Sequence, residues 1–203
     1  MCYIFIIKII LGGIVMNIRS KLDSLYHLEK LGLNYFPENV FDPKDENLME
    51  KVNQFLKEND AELYVIRDVS KCQGKTFFNI SSNEVLENIV FYDGLFSIAV
   101  SSRNYGKYGL IGDIYISSTL EEFWLLASDN SNYNTRGVLA NPKWNYSTDY
   151  YDRRIKYVPD IDKIIDYIFE HHLFNVVIEF AVYPNRVGKK NEFVAIFELR
   201  TDY

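Results

Sequence analysis

The chain has 203 residues and a formal net charge of −6, with 22 Lys and Arg against 28 Asp and Glu. This acidic balance argues against a nucleic-acid partner held on a broad phosphate-binding surface, but it allows a nucleotide held at one local site. The hydrophobic share of 48% and the aromatic share of 16% exclude disorder, and the length fits one domain or two small lobes.

The first fifteen residues, MCYIFIIKIILGGIV, are apolar, but Lys8 interrupts a run that is too short to span a bilayer. They also lack the basic start and the cleavage site of a signal peptide, so we expect no membrane partner. The residues before Met16 can be encoded as a purine-rich ribosome-binding sequence. We therefore expect that translation starts at Met16 and that residues 1–15 are a non-native leader; the alternative is a real N-terminal strand or anchor.

Helical and strand periodicities alternate in the first half of the chain. Gly32 ends the first helical run, Asp45 is the expected N-cap of the second, and Ser81 with Glu84 forms a capping box for the third. The predicted elements are helix 17–31, helix 45–59, strand 61–68, turn 70–74, strand 75–80 and helix 81–89.

The second half is richer in β-type runs. Its predicted elements are strand 91–101, turn 103–108, strands 110–117 and 122–128, an irregular loop over 129–151, helix 160–173, and a closing hairpin of strands 176–183 and 192–199. The order predicts an α+β fold with antiparallel sheets covered on one side by helices. We expect a single domain at 16–203, with lobes at 16–90 and 91–203 around a cleft.

The closing hairpin carries one acid in each of its apolar strands, Glu179 and Glu198. Paired strands lie about 5 Å apart, so both acids can converge on one cation or one metal-bound phosphate. A buried carboxylate is costly unless it has such a partner, and Arg200 points to the same face. Asp113 is a possible third acid of this site or the polar face of a strand. The alternative for both glutamates is an outward position or an ion pair with Arg67 or Arg200.

Candidate cations surround the turn between the strands at 61–68 and 75–80. Arg67 ends the first strand, and Lys71, Gly74 and Lys75 follow in the turn. Cations and a glycine in a loop suit phosphate binding, because backbone N–H groups can approach the anion. The alternatives are a structural ion pair between Arg67 and Asp68 and a solvated turn.

The stretch ELYVIRDVSKCQGKTFFNISSNEVLENI resembles the first nucleotide-lobe unit of ATP-grasp proteins, and VIEFAV…FELR resembles their metal-binding end. The loop LEKLGLNYFPENVF and the Arg at position 67 are similar to the nucleotide-binding domain of pyruvate phosphate dikinase and phosphoenolpyruvate synthase. The resemblance covers about 22–203. It implies an ATP-grasp-like fold, ATP and Mg²⁺ as cofactors, Glu179 and Glu198 as metal ligands, and cation roles for Arg67, Lys71, Lys75 and Arg200.

These residues give two expectations for function. The first is an ATP-dependent phosphotransferase or ligase, in which Arg67 and Arg200 act on the phosphates and a second substrate or protein partner is unspecified. The second is a catalytically inactive grasp-like binding protein of a phage or bacterial accessory or immunity type. The single glycine of the turn and the missing partner domains favour the second, whereas the paired acids with Arg200 favour the first.

The cysteines and histidines add no further chemistry. Cys2 and Cys72 give neither a disulfide framework nor a CxxC pair, which predicts a reducing, cytoplasmic compartment. The three histidines, His27, His171 and His172, have no zinc-binding spacing.

Overall fold

The computed structural model describes residues 18–70, 74–129, 142–148, 155–184 and 193–201. The predicted leader at 1–15 and the predicted phosphate-loop residue Lys71 lie outside these ranges. The chain divides into a smaller unit, Phe36–Gly106, and a larger unit formed by Met1–Tyr35 with Lys107–Tyr203. The lobe boundary expected after residue 90 falls inside the smaller unit, because the strand that follows it joins the same sheet as the strand at 64–68.

The smaller unit is a four-stranded antiparallel sheet with two helices. The sheet has the order β1-β4-β2-β3. Its elements in chain order are β1 (Glu38–Phe41), α2 (Leu48–Asn59), β2 (Tyr64–Asp68), β3 (Thr76–Ile80), α3 (Ser82–Asn88) and β4 (Phe96–Val100), preceded in the chain by α1 (Lys21–Lys30) of the larger unit.

Local signals identify both helices of the smaller unit but give the correct N-cap for only one of them. The capping box predicted for α3 is confirmed, since Ser81 accepts from the Glu84 backbone N–H and the Glu84 carboxylate accepts from Ser81. The start predicted for α2 is wrong, because Asn47 is the N-cap. Asp45 instead accepts from the Asn47 backbone N–H in a turn that precedes the helix.

Both helices of the smaller unit cover one apolar face of its sheet. Val52 of α2 and Val85 of α3 are fully buried in one cluster with Ile66 of β2 and Ile98 of β4. This packing confirms the prediction that helices lie on one side of an antiparallel sheet, and burial of these side chains drives the association.

The larger unit contains a five-stranded antiparallel sheet of order β7-β6-β5-β8-β9. Its remaining elements are β5 (Leu110–Ile116), β6 (Phe123–Ser128), β7 (Trp144–Thr148), α4 (Ile161–Glu170), β8 (Val177–Tyr183) and β9 (Phe193–Arg200). The irregular loop predicted at 129–151 is wrong over β7, which pairs with β6. Pairing with an existing strand forms this element, and local sequence periodicity does not reveal such non-local pairing.

One face of the larger sheet forms the core with α1 and α4. Ile178 and Phe180 of β8 are fully buried together with Ile164 and Ile168 of α4, and Leu28 of α1 joins the same cluster. Alternation then places Glu179, between Ile178 and Phe180, on the opposite face. No helix among the described residues is long and apolar enough to cross a membrane.

A β-bulge in β9 sets the faces of the closing strand. Ile178 pairs with Leu199 and Phe180 pairs with Ile196, so Phe197 is the extra residue. Ile196 and Leu199 are both fully buried although they lie three positions apart, which strict alternation forbids. The bulge therefore allows both residues to enter the core while Glu198 stays on the face of Glu179.

The capping box of α3 provides a test of local stability. Replacing Ser81 by Ala removes the side chain that accepts from the Glu84 backbone N–H, and we expect a loss of about 1 kcal/mol in the free energy of unfolding. Urea denaturation measures this loss. Ser82→Ala, one position later and exposed, is the matched control and should change stability little; equal effects of both variants would contradict the capping role.

Candidate functional site

Three acids form one row across the larger sheet. Asp113 of β5 pairs directly with Glu179 of β8, and Glu179 pairs with Glu198 of β9. Directly opposed residues have Cβ atoms about 5 Å apart, so the carboxylates are neighbours. We call Asp113, Glu179 and Glu198 the acid row. The predicted juxtaposition of the two glutamates and the alternative that placed Asp113 beside them are thus both observed.

Arg200 balances one end of the acid row. Its guanidinium donates to Asp113 at 3.0 Å, and only 3% of the Asp113 side chain is exposed. The Nε atom of Arg200 is buried and has no hydrogen-bond partner in the described part of the chain. Arg200 was predicted as the partner of the glutamates, but its direct ion pair is with Asp113.

Lys21, the first residue of α1, balances the other end. Its ammonium forms an ion pair with Glu198, and the two side chains are 19% and 20% exposed. This partner of Glu198 is neither Arg67 nor Arg200, the two that sequence analysis considered.

Glu179 occupies the centre of the acid row. The structure describes no ion pair for Glu179 within the described ranges. The pKa of its carboxyl is raised to about 7, chiefly by burial and also by the neighbouring charges of Glu198 and Asp113, while the charges of Lys21 and Arg200 lower it. The carboxylate at the middle of the row is thus the one that the described cations balance least, and a proton or a cation has to offset its charge.

Burial also raises the pKa of the Asp113 carboxyl, although the Arg200 guanidinium opposes this shift through its charge and its hydrogen bond. Both Asp113 and Glu179 are therefore harder to ionise than exposed carboxyls.

The carboxylate oxygens of the acid row are the type of ligand that Mg²⁺ prefers. Mg²⁺ usually takes one or two carboxylates and completes its coordination with water and phosphate oxygens. Glu179 and Glu198 are two such carboxylates on adjacent strands. In the ranges that the structure describes, no three His, Cys, Asp or Glu side chains are placed to hold a metal ion by themselves. The two glutamates therefore fit a site that a phosphate ligand would complete.

Arg67 lies in the smaller unit and forms an ion pair there. Its guanidinium binds both carboxylate oxygens of Glu38 on β1, with Nε to Oε1 at 2.9 Å. Ser97 lies between them and donates to the Glu38 carboxylate at 2.6 Å. The alternative of a structural ion pair for Arg67 is thus observed, with Glu38 in the place expected for Asp68.

The other predicted phosphate-loop residues have structural contacts in the smaller unit. A Cβ at Gly74 would lie 2.1 Å from Cβ of Asp68, so only glycine fits against that side chain. Lys75 is exposed, and its ammonium lies 4.3 Å from the centroid of the Phe91 ring. The role of both residues in binding phosphate stays a prediction.

Sequence analysis missed Lys21 and Glu38. Lys21 is separated from Glu198 by 177 residues, and Glu38 is separated from Arg67 by 29. In the sequence both look like charged surface residues of a short helix or strand, and neither belongs to a recognisable motif. Only the pairing of strands and the docking of α1 bring them to their partners.

The charge of Glu179 gives a pH-dependent prediction. Its carboxyl has a pKa of about 7 in the folded chain against an ordinary 4.5, so between these values the folded state binds more protons and stability falls as pH rises. Replacing Glu179 by Gln removes the titrating group and therefore the decrease in folding stability that it causes as pH rises. We expect the stability of the variant relative to wild type to increase by about 1–3 kcal/mol from pH 5 to pH 8.

Urea denaturation across this pH range measures the effect. Glu121→Gln, an exposed position in the β5–β6 turn, carries the same chemical change and should follow wild type. A Glu179→Gln variant that runs parallel to wild type at every pH would contradict the buried charge.

The Arg67–Glu38 pair gives a second prediction. Replacing Arg67 by Met leaves a Glu38 carboxylate that is 5% exposed without its guanidinium, and we expect a loss of about 3 kcal/mol in the free energy of unfolding. Denaturation by urea measures it, with the exposed Arg103→Met as the control. A further Glu38→Gln change should recover part of the loss; if Arg67→Met is neutral, the pair is not structural.

The fold has parallels among solved structures at low sequence identity. The structure of the ADP complex of PurK, an N5-carboxyaminoimidazole ribonucleotide synthetase, is similar with a TM-score of 0.52 and 12% identity, over 91% of this chain and 45% of that one. The D-alanine–D-alanine ligase from Coxiella burnetii reaches a TM-score of 0.49 at 13% identity, over 89% of this chain and 46% of that one. The fold is ATP-grasp-like, as predicted.

The chain spans about half the length of these structures. No protein-family model matches the sequence, and no curated protein matches it. The likeness therefore shows the fold, and the chemistry has to be argued from the residues of this chain.

Proposed function

We propose that this protein binds ATP with Mg²⁺ at the acid row and acts as an ATP-dependent ligase or phosphotransferase of the ATP-grasp type. The observation that carries the proposal is the position of Glu179, a largely buried carboxylate between two other acids and without an ion pair of its own among the described residues. Such a charge requires either a proton or a cation. A divalent cation that also binds phosphate is the partner that suits the ATP-grasp-like fold.

The residues of the larger unit have separate tasks in this proposal. Glu179 and Glu198 would hold Mg²⁺, which when bound neutralises phosphate charge. Arg200 holds Asp113 in place through its 3.0 Å hydrogen bond, and its buried Nε–H is available for a further acceptor. Phosphoryl transfer asks a protein mainly for positioning and charge neutralisation, and these side chains supply both.

The ADP in the PurK complex supports a nucleotide as the ligand of this fold. Whether the reaction is that of a ligase or of a phosphotransferase depends on a second substrate, which we leave unspecified. We also propose that the chain resembles the nucleotide-binding domain of pyruvate phosphate dikinase and phosphoenolpyruvate synthase in particular, and that the protein is cytoplasmic. Phosphate binding by Arg67, Lys71, Gly74 and Lys75 is part of the same proposal.

A second candidate function is that of a catalytically inactive binding protein with this fold. Two observations favour it. Arg67 already forms an ion pair with Glu38, and Glu198 already forms one with Lys21, so a predicted phosphate ligand and a predicted metal ligand both have internal partners. In this alternative the ion pairs are permanent and serve stability alone.

Thermal melting with ATP and Mg²⁺ separates the two candidates. A ligand at a hundredfold its dissociation constant adds about 2.7 kcal/mol, which raises the melting temperature of a chain of this size by several degrees. We expect this increase with ATP and Mg²⁺ together, a smaller one with either alone, and its loss in Glu179→Gln and Glu198→Gln.

Glu122→Gln, an exposed acid beside β6, is the control and should keep the full increase. An unchanged melting temperature in wild type, or an equal increase in both acid-row variants, would exclude the proposed site and leave the inactive binding protein.

A further inference from the structure

Lys21 is built into the acid row by the docking of α1 on β9. β9 is an edge strand of its sheet, and α1 with its flanking residues covers that edge. The Leu199 backbone N–H donates to the Ser24 hydroxyl at 2.8 Å, and Ser24 is 1% exposed. These contacts hold the first turn of α1 against the strand that carries Glu198.

Hydrogen bonds on either side of α1 fix the same position. The Ile18 N–H donates to the Thr201 hydroxyl at 2.9 Å, and the Thr201 N–H donates to the Ile18 carbonyl at 3.2 Å. The Ile196 N–H donates to the Asn34 carbonyl at 2.8 Å beyond the other end of the helix. Lys21 is therefore held where it is by the backbone, and its ion pair with Glu198 is more than a mobile surface contact.

The charges along the row show what Lys21 does there. Asp113 is balanced by Arg200 and Glu198 by Lys21, so three carboxylates face two cationic side chains, and when all three are ionised one negative charge remains, at Glu179. A second divalent cation would need the Oε2 atom of Glu198, which the ammonium already contacts. Like charges a few ångström apart repel strongly in a poorly solvated site, so the two cations exclude one another.

We propose that the Lys21 ammonium occupies a cation position on Glu198 and thereby limits the acid row to one divalent cation. This inference rests on the proposed function, because it concerns the cation capacity of the same site. Lys21 then determines how many metal ions the acid row binds, because its ammonium takes the place of a second metal ion. Both the positive charge of Lys21 and the fixed position of its backbone are required for this exclusion.

Counting bound Mn²⁺ tests the inference on the full chain. Electron paramagnetic resonance reports free Mn²⁺, so titration with and without ATP gives the number of equivalents bound. We expect one equivalent for wild type, two for Lys21→Met, and none for Lys21→Met combined with Glu198→Gln, which lacks the carboxylate that both cations need. Lys21→Arg keeps the charge and should bind one equivalent, and Lys30→Met, an exposed lysine of the same helix, should behave as wild type.

Stability provides a readout that a purely structural ion pair would not give. Lys21→Met should be less stable than wild type in EDTA and should regain that loss when Mn²⁺ is added, because the metal replaces the missing positive charge. A loss that Mn²⁺ does not restore, together with one bound equivalent, would overturn the inference while leaving ATP and metal binding by wild type intact. If neither wild type nor Lys21→Met binds Mn²⁺ or ATP, the inference and the proposed function both fail.

Discussion

The balance of charge along the acid row is the constraint on which the larger unit depends. Three carboxylates lie on adjacent strands of one sheet, and such a row is unfavourable unless cations face it. Arg200 supplies one cation from β9 itself and Lys21 supplies another from α1. Glu179 remains between them, and its raised pKa is the direct result of burial and of its two acidic neighbours.

This constraint links the fold to the proposed chemistry. The bulge at Phe197 keeps Glu198 opposite Glu179 while Ile196 and Leu199 enter the core, so the same strand serves packing and charge. The docking of α1 covers the edge of β9 and brings Lys21 to Glu198. The central acid adds no apolar packing to the sheet, and the cation-binding role that we propose for Glu179 would give its charge a partner.

The two candidate functions differ in whether a metal ion binds beside the internal ion pairs. In an active protein, the contact of Lys21 with Glu198 coexists with one metal ion at Glu179. In an inactive one, the pairs Lys21–Glu198 and Arg67–Glu38 are permanent supports.

Periodicity and capping in the sequence determined most helices and strands, the α+β class and the capping box at Ser81, because these follow from neighbours in the chain. The shared face of Glu179 and Glu198 depends on strand pairing and on the bulge at Phe197, which the tertiary structure decided. Only the tertiary structure decided the partners of the charged residues: Lys21 for Glu198, Asp113 for Arg200 and Glu38 for Arg67. It also decided β7, which forms by pairing with β6. Ion pairs and edge strands depend on distances between residues far apart in sequence, and local patterns carry no information about those distances.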